Sequence, residues 1–127
     1  MNYLVDTHAL LWMMYEPKKL SRKAQEVLAD KSVHKFISIT SLWEIAIKNR
    51  IGKLPLPMGI TDTISKVDML GVGHIGVGQR HVEIFNSLPL LHRDPFDGII
   101  IATALSESMT IITGDENIQK YDVSWTW

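Results

Sequence analysis

Short apolar runs ending in a polar or small residue alternate along the chain with longer stretches whose apolar residues recur every three or four positions. Tyr3-Leu4-Val5 predicts a first strand, and His8 to Tyr15 an apolar helix. Ser21 caps a second helix, with Ala24, Val27 and Leu28 at helical spacing. Phe36 to Ile39 predicts a second strand, followed by a helix from about Ser41 to Ile51 that Gly52 stops. Leu54-Pro55-Leu56-Pro57 predicts an extended connector. Beyond it the pattern predicts a helix over Asp62 to Leu70, a weak strand over 73–77 and a helix over Gln79 to Ser87. Asp94 as cap and Pro95 in the first turn open a strong helix that runs to Ser108. Thr110 to Thr113 predicts a strand, Glu116 to Tyr121 a short helix, and Val123 to Trp125 a last strand. Strands alternating with helices predict an α/β fold, a mostly parallel sheet of about five strands with helices on both faces. No repeat, low-complexity tract or linker interrupts it, so residues 1–127 are expected to form a single domain.

Composition narrows the classes. Of 127 residues, 46% are hydrophobic, too many for a disordered chain. The absence of cysteine removes disulfides and thiolate metal sites, and fits a reducing, cytoplasmic setting. The longest apolar run, Ala9 to Tyr15, falls far short of the roughly 20 residues of a membrane span. The apolar N-terminus carries no basic leader and is interrupted by Asp6 and His8, so no signal peptide is expected. The net charge of −1 argues against a protein that binds nucleic acid by bulk charge.

Ligands of parallel sheets bind beyond the carboxyl ends of the strands. Asp6 follows the first strand, Glu44 lies early in the helix after the second, and Asp115 follows the Thr110–Thr113 strand. Parallel pairing puts these three on one edge. Asp94 and Asp97 open the strong helix, and topology alone ties them to that edge less firmly. Each acid has an ordinary explanation as a helix cap: Asp94 with Asp97, and Ser41 with Glu44, fit capping boxes, while Asp6 and Asp115 precede helices. Together they are harder to explain, because two like charges about 5 Å apart repel by roughly 3 kcal/mol at an effective dielectric of 20. A set of carboxylates without cysteine suits Mg²⁺ or Mn²⁺ better than zinc.

Three segments, with a fourth near the end, carry a resemblance: Val5-Asp6-Thr7-His8-Ala9-Leu10-Leu11-Trp12, Ser41-Leu42-Trp43-Glu44-Ile45-Ala46-Ile47-Lys48, and His92-Arg93-Asp94-Pro95-Phe96-Asp97 leading into Ile101-Ala102-Thr103-Ala104. With the Thr113-Gly114-Asp115 turn and the tryptophan-containing C-terminus, nearly the whole chain resembles a PIN-domain ribonuclease. The resemblance is to the VapC-like toxins of prokaryotic type II toxin–antitoxin pairs. It implies a PIN-like fold and places the family's four acids on Asp6, Glu44, Asp97 and Asp115, with Asp94 as a secondary one. By the same resemblance, Asp6, Asp97 and Asp115 hold a divalent ion, and Glu44 orients or deprotonates the attacking water or helps hold a second ion. RNA cleavage would leave a 5′-phosphate and a 3′-hydroxyl. Thr7 and Thr113 are candidates to bond a ligand water or a phosphate oxygen, or else are turn hydroxyls bonded to backbone. The resemblance further implies a homodimer and an antitoxin whose C-terminal segment blocks the acidic site.

Other features are weaker. Gly71-Val72-Gly73-His74-Ile75-Gly76 matches a dinucleotide-binding pattern, but a predicted helix precedes it, so no nucleotide cofactor is expected. His92 and Arg93 beside the acids, and Lys48 and Arg50 after Glu44, are candidates for phosphate contact. Trp12, Trp43, Trp125 and Trp127 are expected in the core or at a dimer contact. Two competing classes stand against the nuclease. A phosphatase on a similar sheet is disfavoured because His8, not a second Asp, stands two residues after Asp6. In a non-catalytic binding module the acids would only cap helices. Setting the five acids apart from the net −1 leaves +4 on the rest of the chain, a balance that permits an RNA partner once metal fills the pocket.

Overall fold

Five strands and seven α-helices alternate in the computed structural model of the chain, which describes residues 1–127. They are β1 (Asn2–Val5), α1 (Thr7–Tyr15), α2 (Arg22–Ala29), β2 (His34–Ser38), α3 (Ile39–Arg50), α4 (Gly59–Met69), β3 (Gly73–Ile75), α5 (Gln79–Ser87), α6 (Pro95–Glu107), β4 (Thr110–Ile112), α7 (Glu116–Gln119) and β5 (Trp125–Thr126). A 3-10 turn at Pro17–Lys19, absent from the sequence pattern, links α1 to α2. The sheet order is β3-β2-β1-β4-β5, and every pairing is parallel.

Side-chain alternation along the central strands builds a core on each face. Val5, Ile37 and Ile112 face one way, against Leu10, Leu42, Ile45 and Val67 from α1, α3 and α4. Leu4 and Ile111 face the other way, against Ile100, Ile101 and Ala104 of α6 and Ile118 of α7. Helices therefore cover both faces, and the carboxyl ends of the strands stay accessible between them. Lys35 is the one buried cation; its ammonium donates to the Leu28 and Asp30 carbonyls at 2.9 and 3.0 Å, closing the end of α2.

Several boundaries differ from the sequence pattern, among them those of the later strands: β3 stops at Ile75, β4 at Ile112, and β5 spans Trp125–Thr126. α3 begins at Ile39, capped by the Ser38 hydroxyl, which accepts from the Thr40 amide at 3.2 Å. Ser41 is therefore a buried residue inside the helix, and Ser41 and Glu44 form no capping box. β2 is correspondingly shorter, because Ile39 is a half-exposed helical residue and not the last apolar position of a strand. α4 starts at Gly59, three residues before Asp62. Gly52 does end α3: its φ of +78° is the left-handed conformation that glycine adopts without strain. The Gly71–Gly76 segment leaves α4 and enters β3, the reverse of a strand-to-helix phosphate loop. The tryptophans divide. Trp12 and Trp127 pack on each other with ring centroids 5.9 Å apart, beside the first core. Trp43, 62% exposed, and Trp125 lie outside the core, contrary to a core placement.

Candidate active site

The chain leaves β1 toward β2 on one side and returns through β4 on the other, so the crevice of a parallel sheet falls between β1 and β4. Asp6 follows β1 and its amide donates to the Ile112 carbonyl of β4 at 3.1 Å. The buried Asp6 carboxylate is held from two directions: Oδ1 accepts the Ala9 amide at 2.6 Å, and Oδ2 accepts the Thr113 hydroxyl in a short hydrogen bond. Thr113 Oγ1 in turn accepts the Asp115 amide at 3.0 Å, which fixes the turn carrying Asp115. Asp115 caps α7 through the Asn117 amide. Asp6, His8, Trp12, Gly114 and Asp115 line a recess of about 230 Å³.

Glu44 enters from α3. Its side chain is buried; Oε2 accepts from Lys48 Nζ at 2.7 Å, whereas Oε1 is buried without a hydrogen-bond partner. Asp94 caps α6, accepting the Phe96 and Asp97 amides at 2.9 and 3.4 Å. Asp97 does not reach back to complete a capping box; its Oδ2 pairs with His92 Nε2 at 3.2 Å. His92, Asp94 and Asp97 form the only group of three side chains whose ligand atoms lie within 4.8 Å of one another. The set expected by resemblance, Asp6 with Asp97 and Asp115, is looser than this.

Charge shows how near the acids are. Burial, followed by the charges of Asp94, Asp115, Glu44 and Asp6, pushes the Asp97 carboxyl up to about 7. Burial also raises Asp6, against the lowering pull of the Thr113 and Ala9 hydrogen bonds. Lys48 is raised by its hydrogen bond to Glu44, and the charges of Glu44, Asp94 and Asp97 add to this. Five carboxylates from four helices thus share one electrostatic site, although Asp6, Asp94 and Asp115 also serve as ordinary caps. The two roles coincide because helix starts sit at strand ends. Glu44 and Asp97 cap nothing, so capping leaves them unexplained.

The remaining candidates fall on either side of this site. Thr7 donates its hydroxyl to Ser41 Oγ at 2.9 Å in a buried contact between α1 and α3. Arg93 is exposed beside Asp94 on the wall of a neighbouring cavity. Arg50 lies on the last turn of α3 and pairs with none of the acids. Two contributors went unread in the sequence. His8 lines the recess from the first turn of α1, and Tyr121 ties down the loop before α6 by accepting the His92 amide at 3.1 Å. Position after Asp6 was a signal for the first; nothing local marked the second. The acids and the buried, unpartnered Glu44 oxygen form an all-oxygen donor set, joined by one imidazole, that fits a hard divalent cation.

No protein of curated function matches the chain significantly. Among solved structures, VapBC2 from Rickettsia felis bound to a DNA fragment from their promoter aligns over 99% of this chain and 98% of that chain, at 17% identity and a TM-score of 0.73. VapBC-1 from nontypeable Haemophilus influenzae aligns over 99% and 97%, at 20% identity and a TM-score of 0.66. A toxin–antitoxin complex from Klebsiella pneumoniae aligns over 98% and 96%, at 17% identity and a TM-score of 0.65. At these identities the likeness is one of fold. The PIN domain model matches residues 3–124, nearly the whole length, and the chain belongs to the PIN-domain family, a family of nucleases.

Proposed function

We propose that residues 1–127 act as one PIN domain, a divalent-metal-dependent endoribonuclease that serves as the toxin of a toxin–antitoxin pair. The observation that carries this reading is the convergence of five carboxylates that leaves Asp97 protonated up to about pH 7 and Glu44 Oε1 buried without a partner. A fold tolerates such a cluster when a cation neutralises it. Asp6, Asp97 and Asp115, with Asp94 beside them, would hold Mg²⁺ or Mn²⁺ directly or through water, and Glu44 would complete the set or hold a second ion. The bound ion would polarise the scissile phosphate and lower the pKa of the attacking water.

The chain's own groups do the rest. Where Glu44 does not hold an ion, it would orient the water or take its proton at Oε1, while Lys48 holds Oε2. Thr113 fixes the Asp6 carboxylate. His92, beside Asp97, and Lys48, beside Glu44, would meet phosphate oxygens together with Arg93, and Arg50, farther along α3, would meet the RNA backbone. Cleavage leaves a 5′-phosphate and a 3′-hydroxyl. The fold neighbours that are toxin–antitoxin complexes support an antitoxin partner for this chain, and a cytoplasmic homodimer follows from the same reading. No helix is long and apolar enough to cross a membrane.

The test incubates purified protein with RNA in Mg²⁺, Mn²⁺ or EDTA, beside Asp6→Asn and Asp97→Asn. Cleavage that requires the ion, is lost in both variants and leaves 5′-phosphate ends is expected. Cleavage in EDTA, or variants as active as the parent, would overturn the mechanism. Copurification with a small DNA-binding protein encoded immediately upstream is the expected sign of the antitoxin.

A further inference from the structure

The largest cavity, about 640 Å³, is not the acid recess but its neighbour, between α5, the 88–94 segment, the start of α6 and Tyr121. The Phe85 and Tyr121 rings with Leu88 and Leu90 make its apolar wall, and polar groups, Asn86 and Arg93 among them, make up much of the rest. The wall is built. A Cβ at Gly98 would overlap the Phe85 ring, so the glycine lets that ring lie directly on α6. Tyr121 Oη both accepts the His92 amide at 3.1 Å and reaches the His92 carbonyl at 3.4 Å, bracing the loop. Leu90, 94% exposed, stands on the lip with nothing over it.

Two residues belong to both places. His92 and Asp94 line this cavity and also make up, with Asp97, the tight group of ligand atoms in the acid site. A phosphate positioned at the acids therefore has the adjoining nucleoside at the mouth of the cavity. We propose that this cavity is a nucleobase subsite, taking one unstacked base of single-stranded RNA next to the scissile phosphate. The inference rests on the ribonuclease reading and adds to it. Unpaired bases are held by aromatic and apolar side chains and by guanidinium planes, which Phe85, Tyr121, the leucines and Arg93 supply. The Asn86 amide, with two donors and an acceptor, is suited to the edge of a base. Arg93 at the rim offsets the negative charge of the incoming strand.

The test uses the full chain, a single-stranded RNA it cleaves, and the same RNA made abasic on either side of the cut. Loss of the base on one side is expected to raise KM about 5- to 150-fold, the range of one base–aromatic stack. Asn86→Trp, which fills the mouth, and Leu90→Asp, which charges the lip, should raise KM on intact RNA. On the abasic RNA they should have little further effect. Both positions are exposed, and melting curves check that the variants fold. Equal effects on intact and abasic RNA, or no effect of the abasic sites, would overturn the subsite while leaving the ribonuclease reading in place. Absence of cleavage of any RNA by the parent protein would overturn both. Leu90→Asp converting a dimer to a monomer in sedimentation would assign the cavity to a second copy of the chain, and this too would overturn it.

Discussion

Replacing Asp97 by Asn should stabilise the metal-free protein while abolishing its activity. In the fold, the Asp97 carboxyl is pushed from its ordinary 3.8 up to about 7, by burial first and then by Asp94, Asp115, Glu44 and Asp6. In the unfolded chain it titrates near 4. Below about pH 4 both states are protonated and nothing separates them. Between 4 and 7 the folded state holds a proton that the unfolded state has lost, so stability falls as pH rises. Above 7 the full penalty applies. Three pH units at 1.36 kcal/mol each make about 4 kcal/mol; water reaching a side chain that is 15% exposed screens this to about 2 kcal/mol. Asparagine resembles the protonated acid in shape and does not ionise. In EDTA at pH 8 the variant should melt roughly 8 °C higher, at about 4 °C per kcal/mol for a domain of this size. The gain should shrink at pH 6.5 and again at pH 5. Excess Mg²⁺ should raise the parent's melting temperature at pH 8 and leave that of Asp97→Asn nearly unchanged. Calorimetric melts at the three pH values, with and without Mg²⁺, measure all of this. A variant less stable than the parent at pH 8 in EDTA, or a difference independent of pH, would refute the electrostatic account.

Thr113→Val removes both the donor to Asp6 Oδ2 and the acceptor of the Asp115 amide, and should cost about 1–3 kcal/mol by denaturant titration. Cleavage should fall at least tenfold by the estimate of one lost charge-assisted bond, with Thr113→Ser restoring both measures; a fully active valine variant would remove Thr113 from the site. Lys48→Met leaves the buried Glu44 carboxylate without its counter-charge and should lower stability in EDTA by about 1–3 kcal/mol. Mg²⁺ should recover part of that loss, and a melting temperature equal to the parent's under both conditions would show that Lys48 is not the counter-ion.

Much of the architecture follows from strand ends. β1 and β4 are short strands followed within a few residues by helices, so parallel register brings Asp6 and Asp115 to the same edge. The start of α3 is hidden in the sequence because Ile39 continues the apolar run of β2, and only the bond from the Thr40 amide to Ser38 shows that the helix has begun. The acids could be grouped, but not the geometry between them. Thr113 follows a strand as many threonines do, and its bond to Asp6 depends on how β1 and β4 pair. The His92–Asp97 contact spans the cap of α6 and depends on how the loop folds back over it. The cavity beside them needs α5, α6 and Tyr121 in place at once.

The Asp6–Thr113 bond joins residues 107 apart, and the β1–β4 register repeats that separation at Tyr3 and Thr110. The pairing of β1 with β2 joins nearer partners, such as Asn2 and His34. Contacts so distant in the chain form late and slow folding. During synthesis, β1, α1, α2 and β2 can associate while Asp6 still lacks the strand that will fix it. At about 5–20 residues per second, roughly 5–20 s separate the emergence of Asp6 from that of Thr113. The mutual repulsion of the carboxylates is therefore deferred to the end of folding. Under the proposed function, the nascent chain carries an incomplete site throughout that interval, which is the time in which an antitoxin would have to be ready.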